Sequence, residues 1–153
     1  MGQPHRSGVA LHRTGQADAE RVYRELQCSP CRSCRKHNGT AVVALAGYKD
    51  DQVSWSGDKR QIYASSPGQR RAFCGKCGTP LTWEGDGGKL GPIFELHIST
   101  FDEPDLLVPT AHAFEHERIS WFDVADNLPR YQGFIDGSAP LRHGPVKDGL
   151  PQG

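Results

Sequence analysis

The chain has 153 residues, the size of one ordinary domain with ends to spare, and its 18 Lys+Arg balance 18 Asp+Glu for a formal net charge of zero. A neutral chain has no whole-molecule field to draw it onto nucleic acid or an anionic membrane. Eighteen glycines, 11 prolines and only 36% hydrophobic residues argue against a helical bundle and for a turn-rich, mainly β domain.

The expected elements follow in chain order. Residues 1–18 are polar and Gly-rich, a loose N-terminal arm, and no hydrophobic region follows Met1-Gly2-Gln3-Pro4-His5-Arg6. No apolar run approaches the ~20 residues of a membrane span, so no membrane association and a cytoplasmic location are expected. Glu20–Leu26 alternates as a short strand or a helical turn. Ala41-Val42-Val43-Ala44-Leu45-Ala46-Gly47-Tyr48 is a continuous apolar run of strand length between turn signals. Val53-Ser54-Trp55 and Gln61-Ile62-Tyr63-Ala64 read as short strands. Arg71-Ala72-Phe73 and Pro80-Leu81-Thr82-Trp83 read as a hairpin, and Gly85-Asp86-Gly87-Gly88 as a loop tip.

Ile93–Ser99 is the best alternating strand. It places Phe94, Leu96 and Ile98 on one face and Glu95, His97 and Ser99 on the other, where His97 reads as a surface or hydrogen-bonded residue. Phe101–Leu107 is a connection with a helical turn. Ala111–Glu115 and Ile119–Phe122 are further short strands. After Phe134 the chain is Gly, Pro and polar residues. The organisation expected is an arm over 1–18, a β domain over 19–135 and a disordered tail over 136–153.

The five cysteines carry the chemistry. Cys28, Cys31 and Cys34 form a C-x-x-C-x-x-C run, and Cys74-Gly75-Lys76-Cys77-Gly78 follows with 39 residues between Cys34 and Cys74. An odd count without a secretory signal disfavours a disulfide framework, and two C-x-x-C spacings read as thiolate ligands for Zn2+. The second pair sits in a turn, with Gly78-Thr79-Pro80 opening no helix, which disfavours a redox reading there. The first run keeps three readings open: metal ligation, a reactive thiol, or packing. Cys31-Arg32-Ser33-Cys34-Arg35-Lys36 suits the start of a short helix after Pro30, and its three cations suit a lowered thiol pKa.

Several pieces resemble the glutathione-dependent formaldehyde-activating enzyme and centromere protein V (GFA/CENP-V) family from about Val22 to Phe134. They are Cys31-Arg32-Ser33-Cys34-Arg35-Lys36-His37-Asn38-Gly39, Ser65-Ser66-Pro67-Gly68 with Arg71 to Leu81, Pro109-Thr110-Ala111-His112 with Ser120-Trp121-Phe122, and Asn127-Leu128-Pro129-Arg130-Tyr131. The resemblance implies a mainly β fold of two small sheets binding zinc. It further implies a carbon–sulfur lyase acting on glutathione–aldehyde adducts of the S-hydroxymethylglutathione type, with a small thiol such as glutathione as partner; nucleic acid is not expected, because Lys59-Arg60 and Arg70-Arg71 are short basic pairs in a neutral chain. Its metal ligands would come from Cys28, Cys31, Cys34, Cys74 and Cys77; no general acid or base is identified. Two departures stand out. Ser29 occupies the position of the family's first central cysteine, with Cys28 one residue earlier. The family's early C-x-C is missing, and Ala10-Leu11-His12 falls where it would lie, which makes His12 a candidate substitute ligand. These losses leave a second reading open, a catalytically degenerate zinc-binding structural or interaction module.

Overall fold

The computed structural model describes residues 26–49, 52–53, 55, 59–86 and 91–146. Among the described residues the fold is mainly β with one short α-helix. In chain order its elements are β1 (Gln27–Ser29), α1 (Arg32–Asn38), β2 (Val43–Tyr48), β3 (Arg60–Ser66), β4 (Gln69–Cys74), β5 (Pro80–Asp86), β6 (Pro92–His97), β7 (Ala111–His112), β8 (Pro129–Arg130) and β9 (Arg142–His143). Single 3-10 turns occupy Ile98–Thr100, Pro104–Leu106 and Glu115–Glu117. Among the described residues no helix is long and apolar enough to cross a membrane. The expected strand over Glu20–Leu26 and the candidate ligand His12 lie almost wholly outside the described residues.

The chain divides into two compact units, and β2 contributes to both: Ala46–Leu107 lies in the first, Glu25–Leu45 and the chain from Val108 onward in the second. The strand order in the first unit is β3-β4-β5-β6 and then β2. Its β3, β4, β5 and β6 form antiparallel neighbours, with Ala72 opposite Thr82 and Thr82 opposite Leu96. Ala72, Leu81, Trp83, Ile93 and Leu96 are buried here. The Arg60 guanidinium stacks over Trp55 at 4.0 Å from the ring centre, and buried Glu84 pairs with Arg60 and, at 3.2 Å, with Arg70. A cation against an aromatic face and a desolvated carboxylate is thus satisfied from both sides.

Several expectations are corrected here. Glu95 and His97 are buried along with Ile93, Phe94 and Leu96, so β6 is covered on both faces and its alternation does not mark a solvent face. Gly85 and Asp86 are strand, not loop, because the ladder to β6 continues through Gly85–Ile93 and Asp86–Pro92. Ile98–Ser99 leaves the strand for a 3-10 turn.

In the second unit β1 is antiparallel to β2 and parallel to β7; β7 is parallel to β8, and β8 antiparallel to β9. The pairing is mixed. Two further strand expectations fail for identifiable reasons. Ala111–Glu115 is strand only through His112, since Phe114 turns into the left-handed region at φ 53°. Ile119–Phe122 is a turn, with the carbonyls of Ile119, Ser120 and Phe122 all accepting from the Arg118 guanidinium instead of from a ladder. Arg142–His143, in the stretch read as a tail from sequence, pairs with β8 as β9.

Candidate functional site

Two cysteine pairs stand out, one in each unit. In the second unit, Cys31 is the N-terminal cap residue of α1 and Cys34 lies one turn on, so helical geometry places both on one face. Gly39, in the left-handed conformation that a Cβ resists, ends the helix with its N–H on the Arg35 carbonyl. Cys34 is buried against Val43 and Leu45 of β2, with Cys31 packed at the edge of that cluster. The Cys31 thiol is drawn down from 9.0 to about 6, first by a hydrogen bond from Cys34 and also by Ser33, whose Oγ lies 3.3 Å from its sulfur; burial and the Glu117 charge oppose this. Glu117 accepts from the Arg32 backbone N–H. Arg35 donates to the carbonyls of Pro30 at 2.8 Å and Glu117 at 3.1 Å. It therefore braces the helix, leaving Arg32 and Lys36 as the exposed cations beside the pair.

The two residues before Pro30 part company. Ser29 lies opposite Val43 and Gln27 opposite Leu45, the β2 residues that pack on Cys34, and the Ser29 hydroxyl accepts from the Cys31 N–H at 3.4 Å. Neighbouring residues on a strand project to opposite faces. Cys28 therefore points away from Cys31 and Cys34. It lies opposite Ala44 on β2 and His112 on β7. Its thiol is pushed up to about 11 by burial, helped by the Asp126 carboxylate and partly offset by Arg130.

The face that Cys28 joins is a buried ion network that sequence reasoning did not single out. Arg130, 1% exposed, reaches Asp123 at 3.1 Å, Asp126 at 3.3 Å, Glu115 at 3.5 Å and the Val124 carbonyl at 2.7 Å. Glu115 also binds Arg118 and Arg142, and Asp126 holds His112 Nε2 at 2.8 Å. Burial pushes the Asp126 carboxyl up, but the His112 hydrogen bond, the Leu128 N–H and the nearby cations outweigh it, so its pKa is lowered. The available signals were the segments Asn127 to Tyr131, which carries Arg130, and Pro109 to His112, which carries His112.

In the first unit β4 ends at Cys74 and the chain turns through Gly75–Cys77 into β5. Two backbone hydrogen bonds fix the turn, Gly78 N–H to the Cys74 carbonyl at 2.8 Å and Cys74 N–H to the Thr79 carbonyl at 2.9 Å. Gly78 sits at φ 74°, the conformation that glycine tolerates best. Cys74 is buried and Cys77 exposed. Hydrogen bonds from Thr79, whose Oγ1 lies 3.0 Å away, and then from Cys74 lower the Cys77 thiol pKa.

All five cysteines are free thiols. Zinc fits the donor chemistry of each pair, since two adjacent sulfurs with one prone to ionise are what a soft divalent ion selects. The donor number is short, because among the described residues no group of three or more His, Cys, Asp and Glu side chains is placed to hold a metal. The Ser29 hydroxyl accepts from the Cys31 N–H and lies on the face of β1 that packs toward Cys34.

Residues 10–117 match the family of the glutathione-dependent formaldehyde-activating enzyme (GFA). No curated protein matches the chain. The match spans more than half of the sequence, and the chain belongs to this family.

Proposed function

We propose that this family member acts on glutathione–aldehyde adducts as a carbon–sulfur lyase of the formaldehyde-activating type, with Cys31 and Cys34 as the core of the reactive zinc site. The observation that carries this reading is the Cys31–Cys34 pair itself: two sulfurs in hydrogen-bond contact, with Cys31 at about 6, inside the family match. Zinc held there would act as a Lewis acid and favour the ionised form of a thiol. The chain's own residues supply the rest. Cys31 is largely ionised at neutral pH without any proton acceptor, Cys34 and Ser33 hold its charge by hydrogen bonding, and Arg32 and Lys36 suit the carboxylates of glutathione. In the synthetic direction the glutathione S–H adds across the aldehyde C=O, forming the C–S bond and placing the proton on oxygen; the lyase direction reverses this. The setting is a reducing one, the cytoplasm.

One observation favours a second reading. Ser29, beside the Cys31 N–H on the face of β1 toward Cys34, occupies the position where the resemblance implies a third thiolate, and a hydroxyl stays protonated near neutral pH and binds zinc weakly. A degenerate module that binds zinc without turnover follows if this contact is essential. The test is NMR exchange of glutathione with formaldehyde, measured against the spontaneous condensation. The lyase reading expects a weak acceleration that is lost in Cys31→Ser and raised in Ser29→Cys. Acceleration unchanged by Cys31→Ser would overturn it, and no acceleration by wild type but acceleration by Ser29→Cys would establish the degenerate reading.

A further inference from the structure

Cys28, Cys31 and Cys34 are evenly spaced, so in the sequence Cys31 has a thiol three residues to either side. The fold removes that symmetry. Cys28 lies on β1 opposite Ala44 and His112, on the other face from Ser29. Cys34 lies one turn into α1, and the Arg35 N–H closes that turn on the Cys31 carbonyl at 2.9 Å. Helix geometry sets Cα atoms three residues apart at about 5 Å, inside the roughly 4.4–6.8 Å that a disulfide spans. The Cys31 and Cys34 sulfurs are in hydrogen-bond contact. Access divides them, since Cys31 is part-exposed and Cys34 is buried. Arg35 holds the turn from the side through the Pro30 and Glu117 carbonyls.

We propose that Cys31 and Cys34 form a dithiol that exchanges with small disulfides of the glutathione type, Cys31 as the attacking thiol and Cys34 as the resolving one. In the first step the Cys31 thiolate attacks one sulfur of glutathione disulfide. A Cys31–glutathione bond forms, the S–S bond of the disulfide breaks, and one glutathione leaves as its thiolate. In the second step Cys34 gives its proton to solvent and attacks the Cys31 sulfur, expelling the other glutathione. The protein pair gives up two electrons and glutathione disulfide takes them; excess glutathione reverses both steps. Burial sets the order. A small disulfide meets Cys31 from solvent, whereas Cys34, packed against Val43 and Leu45, is reached through Cys31. The Ser33 Oγ, 3.3 Å from the Cys31 sulfur, steadies its charge. Arg32 and Lys36, exposed on the same helix, suit the carboxylates of glutathione. This inference is independent of the lyase reading, because the exchange uses neither an aldehyde nor a metal.

The test incubates the full chain with glutathione disulfide at neutral pH, as purified and again with a chelator present. Acid quenches the exchange, and each cysteine is mapped by peptide mass spectrometry without reduction. Wild type should end with a Cys31–Cys34 disulfide and little glutathione on either residue. Cys34→Ser should instead retain glutathione on Cys31, raising that mixed disulfide on the order of tenfold over wild type, because the intramolecular thiol that resolves it is gone. Cys31→Ser changes the part-exposed position, keeps Cys34 in its packing, and should leave Cys34 unmodified; it carries the test if a serine at the buried position disturbs folding. Four results would overturn the proposal: Cys31 left reduced under both conditions, a Cys28–Cys31 disulfide in place of Cys31–Cys34, equal glutathione on Cys31 in wild type and Cys34→Ser, or glutathione on Cys34 in Cys31→Ser.

Discussion

The lowered pKa of Cys31, proposed as a zinc ligand, makes a quantitative demand on the metal-free protein. With a pKa of about 6 against an ordinary 9.0, Cys31 is about nine-tenths thiolate at pH 7, where an ordinary thiol is about one-hundredth ionised. Nucleophilicity falls with pKa, by roughly 15–30-fold over three units at a Brønsted slope of 0.4–0.5, so the net advantage at pH 7 is only about 3–6-fold. At pH 5 the thiolate ratio approaches ~900, and the net advantage grows to roughly 30–60-fold. The informative measurement is therefore pulsed iodoacetamide labelling from pH 4.5 to 9.5 after zinc removal, with each cysteine followed by peptide mass spectrometry. Cys31 should label with a midpoint near 6. Cys77, exposed and lowered by Thr79, should also label early, and Cys28, pushed up to about 11 and part-buried, should label last. Cys34→Ala removes the largest cause of the Cys31 shift and should move its midpoint upward, leaving only Ser33 and the backbone N–H to hold the charge. A Cys31 midpoint above pH 8, or one that ignores Cys34→Ala, would refute the electrostatic account of this site.

Arg130→Met removes the one cation that spans Asp123, Asp126 and Glu115, and should cost ~3–5 kcal/mol in urea unfolding, the usual penalty for stranding one side of a buried ion pair; a loss under 1 kcal/mol would show the acids are satisfied elsewhere. The pKa values of Asp123 and Asp126 are lowered by folding from 3.8, so their stabilisation is fully present above that value and lost as pH falls through the lower folded pKa. Acid unfolding should be shallower in Asp126→Asn than in wild type, read by circular dichroism below pH 4. Gly78→Ala should destabilise by about 1 kcal/mol through its positive φ alone, because an added Cβ meets nothing within 4 Å. A thermal melt unchanged by that substitution would show that the turn can relax.

The local parts of this site were legible because local geometry decides them. A C-x-x-C after Pro30 with no helix breaker before Gly39 puts Cys31 and Cys34 one helical turn apart, whatever surrounds them. Cys74 and Cys77 meet because a short glycine-bounded turn between two strands leaves them no other arrangement. The continuous apolar run through Val43–Tyr48 announced a strand buried on both sides. Tertiary structure decided what depends on partners distant in sequence. Nothing within Gln27-Cys28-Ser29 says which side chains face α1; that follows from the register of β1 against Val43 and Leu45 on one side and against Ala111 and His112 on the other, where a slip of one residue would exchange Cys28 and Ser29. Burial of Glu95 and His97 likewise follows from covering both faces of β6, which an alternating pattern cannot reveal. Arg130 reads as a surface residue in isolation, and becomes the centre of a network only because its carboxylates arrive from residues 115, 123 and 126 once β7 and β8 pair.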